Sequence, residues 1–109
     1  MKAKECGQEA VQALACIDRV MHEPARLAVV TYLSLVENAD FVFLMHAVEL
    51  TWGNLSSHLA KLEEAGYVAI EKGYVGKKPR TTLRLTDKGR EALQKYRMGM
   101  QTALRATAS

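Results

Sequence analysis

Cysteine is scarce in this chain: Cys6 and Cys16 are the only two in 109 residues, with no CxxC pair and no metal-finger spacing. A disulfide-stapled scaffold is excluded, and a reducing, cytoplasmic setting is expected. Proline occurs only at Pro24 and Pro79, and there is no internal repeat or low-complexity tract, which removes collagen-like and disordered classes. Long apolar runs are also missing. The uncharged stretch Leu27–Val36 has ten residues, against roughly 20 needed to span a bilayer. Met1-Lys2-Ala3-Lys4-Glu5 lacks the apolar core of a signal peptide, so neither a membrane-tethered nor a secreted form is expected. Enzyme hallmarks are lacking too. No phosphate-binding glycine loop, suitably spaced carboxylate pair or nucleophile elbow is present, and the chain reads as a non-enzyme without a cofactor.

Acidic residues are nearly absent from one end. Residues 72–109 hold ten Lys/Arg but only Asp87 and Glu91, a balance of +8, whereas residues 1–71 hold five Lys/Arg and ten Asp/Glu, a balance of −5. The net charge of +3 hides this asymmetry, which suits a polyanionic partner on one side of the molecule or a plain solvated basic helix. The composition, 49% hydrophobic, is ample for one packed core, so residues 1–109 are read as a single small domain.

Periodicity divides the chain into elements. Val11, Leu14, Ala15 and Ile17 mark a first helix over 7–20, and Pro24 opens a strongly apolar second one reaching about Val36. Glu37 to Asp40 is a loop, and Phe41-Val42 a short extended piece. Phe43 to Val48 is a short helix, followed by the tight connection Glu49-Leu50-Thr51. Thr51 can cap the next helix, Trp52 to Ala65, whose Leu55, Leu59 and Leu62 form one apolar stripe. Gly66 closes that helix. Period-two runs at Val68-Ile70 and Leu83-Leu85 flank a cationic loop, Gly73 to Arg80, making a hairpin. Thr86 caps a last helix over 86–105, with Ala92, Leu93, Tyr96, Met100 and Leu104 on its apolar side.

A short helix, a three-residue turn and a capped second helix make a helix-turn-helix. With the leucines turned inward, Trp52, Gly53, Asn54, Ser57, His58 and Lys61 are left outward, small or hydrogen-bonding groups that suit a major groove. Trp52 reads chiefly as hydrophobic cover for the turn. The hairpin supplies Lys77, Lys78 and Arg80 at its tip and Lys72 and Arg84 on its arms, for phosphates or a minor groove.

The run Asn54-Leu55-Ser56-Ser57-His58-Leu59-Ala60-Lys61-Leu62-Glu63-Glu64-Ala65-Gly66-Tyr67-Val68 resembles the recognition helix of winged helix-turn-helix regulators of the MarR and ArsR groups. It is most similar to the small winged helix DNA-binding domain family. Glu71 to Arg90 resembles that family's wing and following helix, and His22-Glu23-Pro24-Ala25-Arg26-Leu27 its helix opening. The resemblance spans about residues 17–95. It implies a mainly α fold with a small β-hairpin wing, and a homodimeric transcriptional regulator, a repressor by promoter occupancy, binding double-stranded DNA. The expected DNA-facing residues are Thr51, Trp52, Asn54, Ser56, Ser57, His58, Lys61, Lys72, Lys77, Lys78, Arg80 and Arg84. The first and last helices would form the dimer through Val11, Leu14, Leu93, Tyr96, Met100 and Leu104. Two departures from the family pattern stand out: Val42 where a polar helix cap is usual, and Glu49 in place of a turn glycine.

Other readings carry less weight. His22, His46 and His58 with the two cysteines invite a metal sensor of the ArsR type, but Phe43-Leu44-Met45-His46 lacks the clustered cysteines of such sensors, and no metal site is assigned. Met21, Met45, Met98 and Met100 can line a pocket for an apolar effector of unknown identity, or simply fill a core. Cys6 and Cys16 can pair across a dimer as a thiol switch. A winged-helix protein-interaction module without DNA binding is the alternative from a different class, favoured by Glu49, Glu63, Glu64 and the acidic first half.

Overall fold

The computed structural model describes residues 2–108, with side chains from residue 8 onward. The order is α1 (Lys2–Ala15), α2 (Pro24–Ser34), β1 (Ala39–Asp40), α3 (Phe41–Ala47), α4 (Trp52–Glu64), β2 (Val68–Val75), β3 (Lys78–Leu85) and α5 (Asp87–Arg105). This is a winged helix: helices plus a three-stranded antiparallel sheet of order β1-β3-β2.

Helix ends follow from local capping chemistry. α1 stops at Ala15, short of the residue 20 expected from its periodicity, because the Asp18 carboxylate accepts the backbone N–H groups of Val20 and Met21 (2.9 and 3.3 Å) and turns the chain. Glu23 caps α2 by accepting the Arg26 N–H at 2.7 Å, with Pro24 in the first turn. α3 starts at Phe41, not Phe43, since Asp40 caps it by accepting from the N–H groups of Val42 and Phe43 (3.1 and 3.2 Å). The polar cap therefore exists two residues before Val42, and the extended piece is Ala39–Asp40 rather than Phe41-Val42. Gly66, at φ 81°, ends α4: its N–H donates to the Glu63 carbonyl and the Tyr67 N–H to that of Leu62, both at 2.9 Å, which is the Schellman arrangement.

Met21, Val29, Val30, Leu33, Leu44, Leu55, Leu59, Leu62 and Leu83 fill the core between the three central helices and the sheet. Each such leucine or valine removed from water contributes about 1.5–3 kcal/mol. The molecule is elongated, 66 × 24 × 21 Å with a radius of gyration of 16.8 Å, against about 13 Å for a compact chain of this length. α5 alone is about 28 Å long at 1.5 Å per residue, and α1 packs along it. Val11, Leu14, Met98 and Leu104 on this pair are exposed. Tyr96, assigned from sequence to a dimer interface, belongs instead to the protomer's own core: it is 7% exposed and its hydroxyl meets His22 Nδ1 at 3.0 Å. Leu93 and Met100 are half-buried against the same core.

Where α5 begins, the backbones nearly touch. Thr86 donates its N–H to the Tyr67 carbonyl (2.9 Å) and its hydroxyl to that of Gly66 (2.6 Å), while Oγ1 accepts from the Gly89 N–H (3.0 Å). A Cβ at Gly89 would sit 2.3 Å from the Tyr67 carbonyl oxygen and 2.6 Å from Leu85 Cδ1. Gly89→Ala is expected to destabilise the fold by about 1–3 kcal/mol, lowering the thermal midpoint by roughly 4 °C or more. An unchanged midpoint contradicts this close approach.

Candidate nucleic-acid interface

α4 is fixed in rotation by its buried stripe of Leu55, Leu59 and Leu62. Thr51 Oγ1 accepts the Asn54 N–H at 3.2 Å, so the Thr51 expected to face DNA also starts the helix. At about 100° per residue, the direction opposite the leucines belongs to Gly53, Ser57, Ala60 and Glu64, with Ser56 and Lys61 beside them; all are exposed. Gly53 has open space around it, and Ala60 adds only a methyl, so backbone can approach a ligand closely here. Sequence reasoning passed over Ala60; four-residue spacing from Ser56 and a small side chain were its signals.

Trp52 and His58 flank this face on opposite sides. Trp52 leans on Phe41, ring centroids 4.3 Å apart, yet remains 60% exposed, so it covers the turn and still offers a ring to solvent. His58, expected outward, tilts toward α2: its Nδ1 lies 3.7 Å from Glu23 Oε2 and 3.4 Å from Arg26 Nη1, and the side chain is 21% exposed. The Arg26 N–H bond holds the Glu23 carboxyl below its ordinary value, against the opposing effect of burial and with help from the Ala25 N–H and the Arg26 guanidinium. Arg26 in turn donates through Nε to the Val20 carbonyl at 2.7 Å. Glu23 and Arg26 were not among the sequence-derived site residues, although an acid immediately before a helix-opening proline marks a cap.

The turn entering α4 carries strain. Glu49, standing where the family pattern has a turn glycine, has φ 55°, a left-handed backbone that favours glycine. It is exposed, so its carboxylate sits in solvent beside the outward face.

The hairpin differs from the sequence picture in one useful way. Gly73 to Arg80 is not a loop: the strands run on to a two-residue turn at Gly76-Lys77, with Gly76 at φ 64°. Glycine at the first central position matches a tight hairpin turn, and the alternation of Thr81 and Thr82 with Leu83 supports continued pairing. Register now sorts the cations. Lys78, Arg80 and Arg84 share one face of β3 and Lys72 lies on the other, while Lys77 occupies the turn. All five are exposed. Arg80 has a second role, its Nε lying 3.5 Å from Asp40 Oδ1, so the residue that caps α3 also holds the wing.

Behind α4, the Tyr67 hydroxyl donates to the Asp18 carboxylate. Burial, then that carboxylate, pushes the Tyr67 phenol up to about 12. Lys88 Nζ lies 5.9 Å from its ring centre. Among the described residues, no three His, Cys, Asp or Glu side chains come together as metal ligands, and no helix is long and apolar enough to cross a membrane. Cys16 is exposed, and the Cys6 side chain lies outside the described residues. Met21 is core, Met45 and Met100 pack against it, and Met98 is exposed.

A capped helix whose outer face carries small groups with Lys61 and Glu64 thus stands beside a basic two-stranded wing. The winged helix DNA-binding domain family matches residues 25–104. The chain belongs to that family. An uncharacterized protein of Methanocaldococcus jannaschii is 33% identical over 78 residues, covering 72% of this chain and 85% of the relative. Among solved structures, a transcriptional regulator homologue from Pyrococcus horikoshii OT3 superposes with a TM-score of 0.81 at 25% identity, over 94% of this chain and 99% of that one. A transcriptional regulator of M. tuberculosis, MosR, solved in complex with DNA, shares the fold with a TM-score of 0.65 at 22% identity, over 97% of this chain and 73% of that one. Within this winged helix domain, α4 is the second helix of the helix-turn-helix and β2-β3 form the wing.

Replacing the strained turn residue should relieve it. Glu49→Gly removes a left-handed cost of about 1–2 kcal/mol and adds a glycine entropy cost of about 0.5–1 kcal/mol. A net gain of about 0.5 kcal/mol is expected in chemical unfolding, and a loss of stability would show that the turn is not strained.

Proposed function

We propose that the protein is a homodimeric transcriptional regulator, acting as a repressor, that binds specific sites in double-stranded DNA in the cytoplasm. The observation that carries this reading is the pairing of two unlike surfaces. α4 presents Gly53, Asn54, Ser56, Ser57 and Ala60, small or neutral groups that let a helix enter a major groove closely and hydrogen-bond to base edges. Beside it, the wing presents Lys77, Lys78 and Arg84, which neutralise phosphates without reading sequence. Lys61 and Lys72 extend the grip on phosphates, and Thr51, Trp52, His58 and Arg80 stand at their margin. Electrostatic grip thus comes from the wing and discrimination from the helix.

Two copies would pair through α1 and α5. Val11, Leu14 and Leu104 lie exposed on that projecting pair. Between α2 and α5, Leu27, Leu35, Leu93 and Met100 line an apolar groove of about 800 Å³. Apolar surface of this kind is normally covered in an oligomer. A two-fold axis through the terminal helices would set two α4 helices toward successive major grooves, about one helical turn apart. Occupying a promoter in this way excludes other proteins from it.

The test is a duplex titration at several salt concentrations, followed through Trp52, the only tryptophan. Affinity should fall steeply with salt, and Lys77→Ala with Lys78→Ala and Arg84→Ala should flatten the slope by about 0.9 for each phosphate that is no longer neutralised. Lys95→Ala, on α5, should leave it unchanged. No binding at low salt, or a slope unaffected by the triple substitution, overturns the reading and favours a protein-interaction role.

A further inference from the structure

The cluster joining α4 to α2 has two alternative hydrogen-bond patterns, separated by one proton. Glu23 Oε2 is immobilised by the Arg26 N–H at 2.7 Å and lies 3.7 Å from His58 Nδ1, while Arg26 Nη1 lies 3.4 Å from the same nitrogen. With His58 neutral and its hydrogen on Nε2, Nδ1 accepts from the Arg26 guanidinium. With His58 protonated, Nδ1 carries a hydrogen, cannot accept, and donates to the Glu23 carboxylate instead. The guanidinium loses nothing essential in that exchange, because Nε still donates to the Val20 carbonyl and Nη2 to that of Arg19. In both states the ring stays seated on the α2 cap, and Nε2–H remains a donor.

The charged groups that meet the ring are Glu23 and Arg26, from the cap and first turn of α2, both at Nδ1. One cation and one anion, they offset each other, which leaves the charge of a protonated ring uncompensated. An added anion on the exposed side would therefore complement a protonated imidazole, held between it and Glu23. A DNA phosphate at the edge of the groove entered by α4 is such an anion.

We propose that His58 couples DNA binding to proton uptake: on the duplex it becomes an imidazolium that donates from Nδ1 to Glu23 and from Nε2 to a phosphate, so that affinity rises as pH falls. The proton comes from solvent and is released when the duplex leaves. This rests on α4 being the DNA-reading helix. Histidine is in general the side chain whose charge changes between about pH 5 and 8, which sets the range to be tested. The expected sign follows from linkage: the complex holds more protons than the free protein, and acid favours the complex.

The experiment measures the affinity of the whole chain for a mixed-sequence duplex, at fixed low salt, between about pH 6 and pH 8. The wild type should bind several-fold more tightly at the acid end, up to about tenfold for each unit by which the complex raises the imidazole's pKa. His58→Gln, which can still accept from Arg26, should bind with little pH dependence. Glu23→Gln, which can still cap α2, should reduce the slope. His46→Gln and His22→Gln, both on exposed histidines, should retain it. A slope that survives His58→Gln, or disappears with His46→Gln instead, overturns the inference while leaving DNA binding intact. Absence of binding at every pH overturns both.

Discussion

Everything on the outward side of α4 depends on the burial of three leucines. Leu55, Leu59 and Leu62 are at most 2% exposed, and a helix holding three such side chains in a closely packed core cannot rotate about its own axis without opening a cavity. Rotation fixes which residues face outward. The neutral strip of Gly53, Ser57 and Ala60 is thus a consequence of where the leucines lie, and the chemistry offered to a partner is decided by packing on the opposite side.

Acidic side chains complete this placement, and their use explains the uneven charge. Glu23 caps α2 and meets His58, Asp40 caps α3 and meets Arg80, and Asp18 turns the chain after α1 and meets Tyr67. Each carboxylate satisfies backbone N–H groups and also touches an element distant in sequence. Three acids of the −5 half are therefore consumed in holding the scaffold, while the cations of the +8 half stay in solvent on the wing and α5. Individual exposed pairs such as Arg80 with Asp40 add little stability, commonly under about 1 kcal/mol. Their contribution here is direction, since a capped carboxylate is already immobile when its partner arrives.

The helices, their order and the buried leucine stripe of α4 were legible because leucine periodicity, Thr51, Gly66 and Thr86 are strong local signals. What escaped was decided by distant partners. β1 is two residues long and exists only because Ala39 and Asp40 pair with Leu83 and Thr82. The reach of the wing was hidden by Gly73 and Pro79, which read as loop formers until strand pairing carries the ladder past them. His58 looked outward on a helical wheel, yet the cap of α2 lies within reach of its ring. Tyr96 fell on an apolar stripe that suggested an interface, and its burial depends on how α5 crosses the central helices. The positive φ of Glu49 was foreseeable, because its place in the motif is one that glycine usually fills.

These elements converge on one central claim, that two copies of this chain read DNA together, with α4 in the groove and the wings on the backbone. Selection of bound duplexes from a random pool tests it most directly. The account predicts enrichment of a palindromic site, with half-sites about one helical turn apart, roughly 10–10.5 base pairs. Enrichment of no sequence, or of a single site without two-fold symmetry, would contradict it.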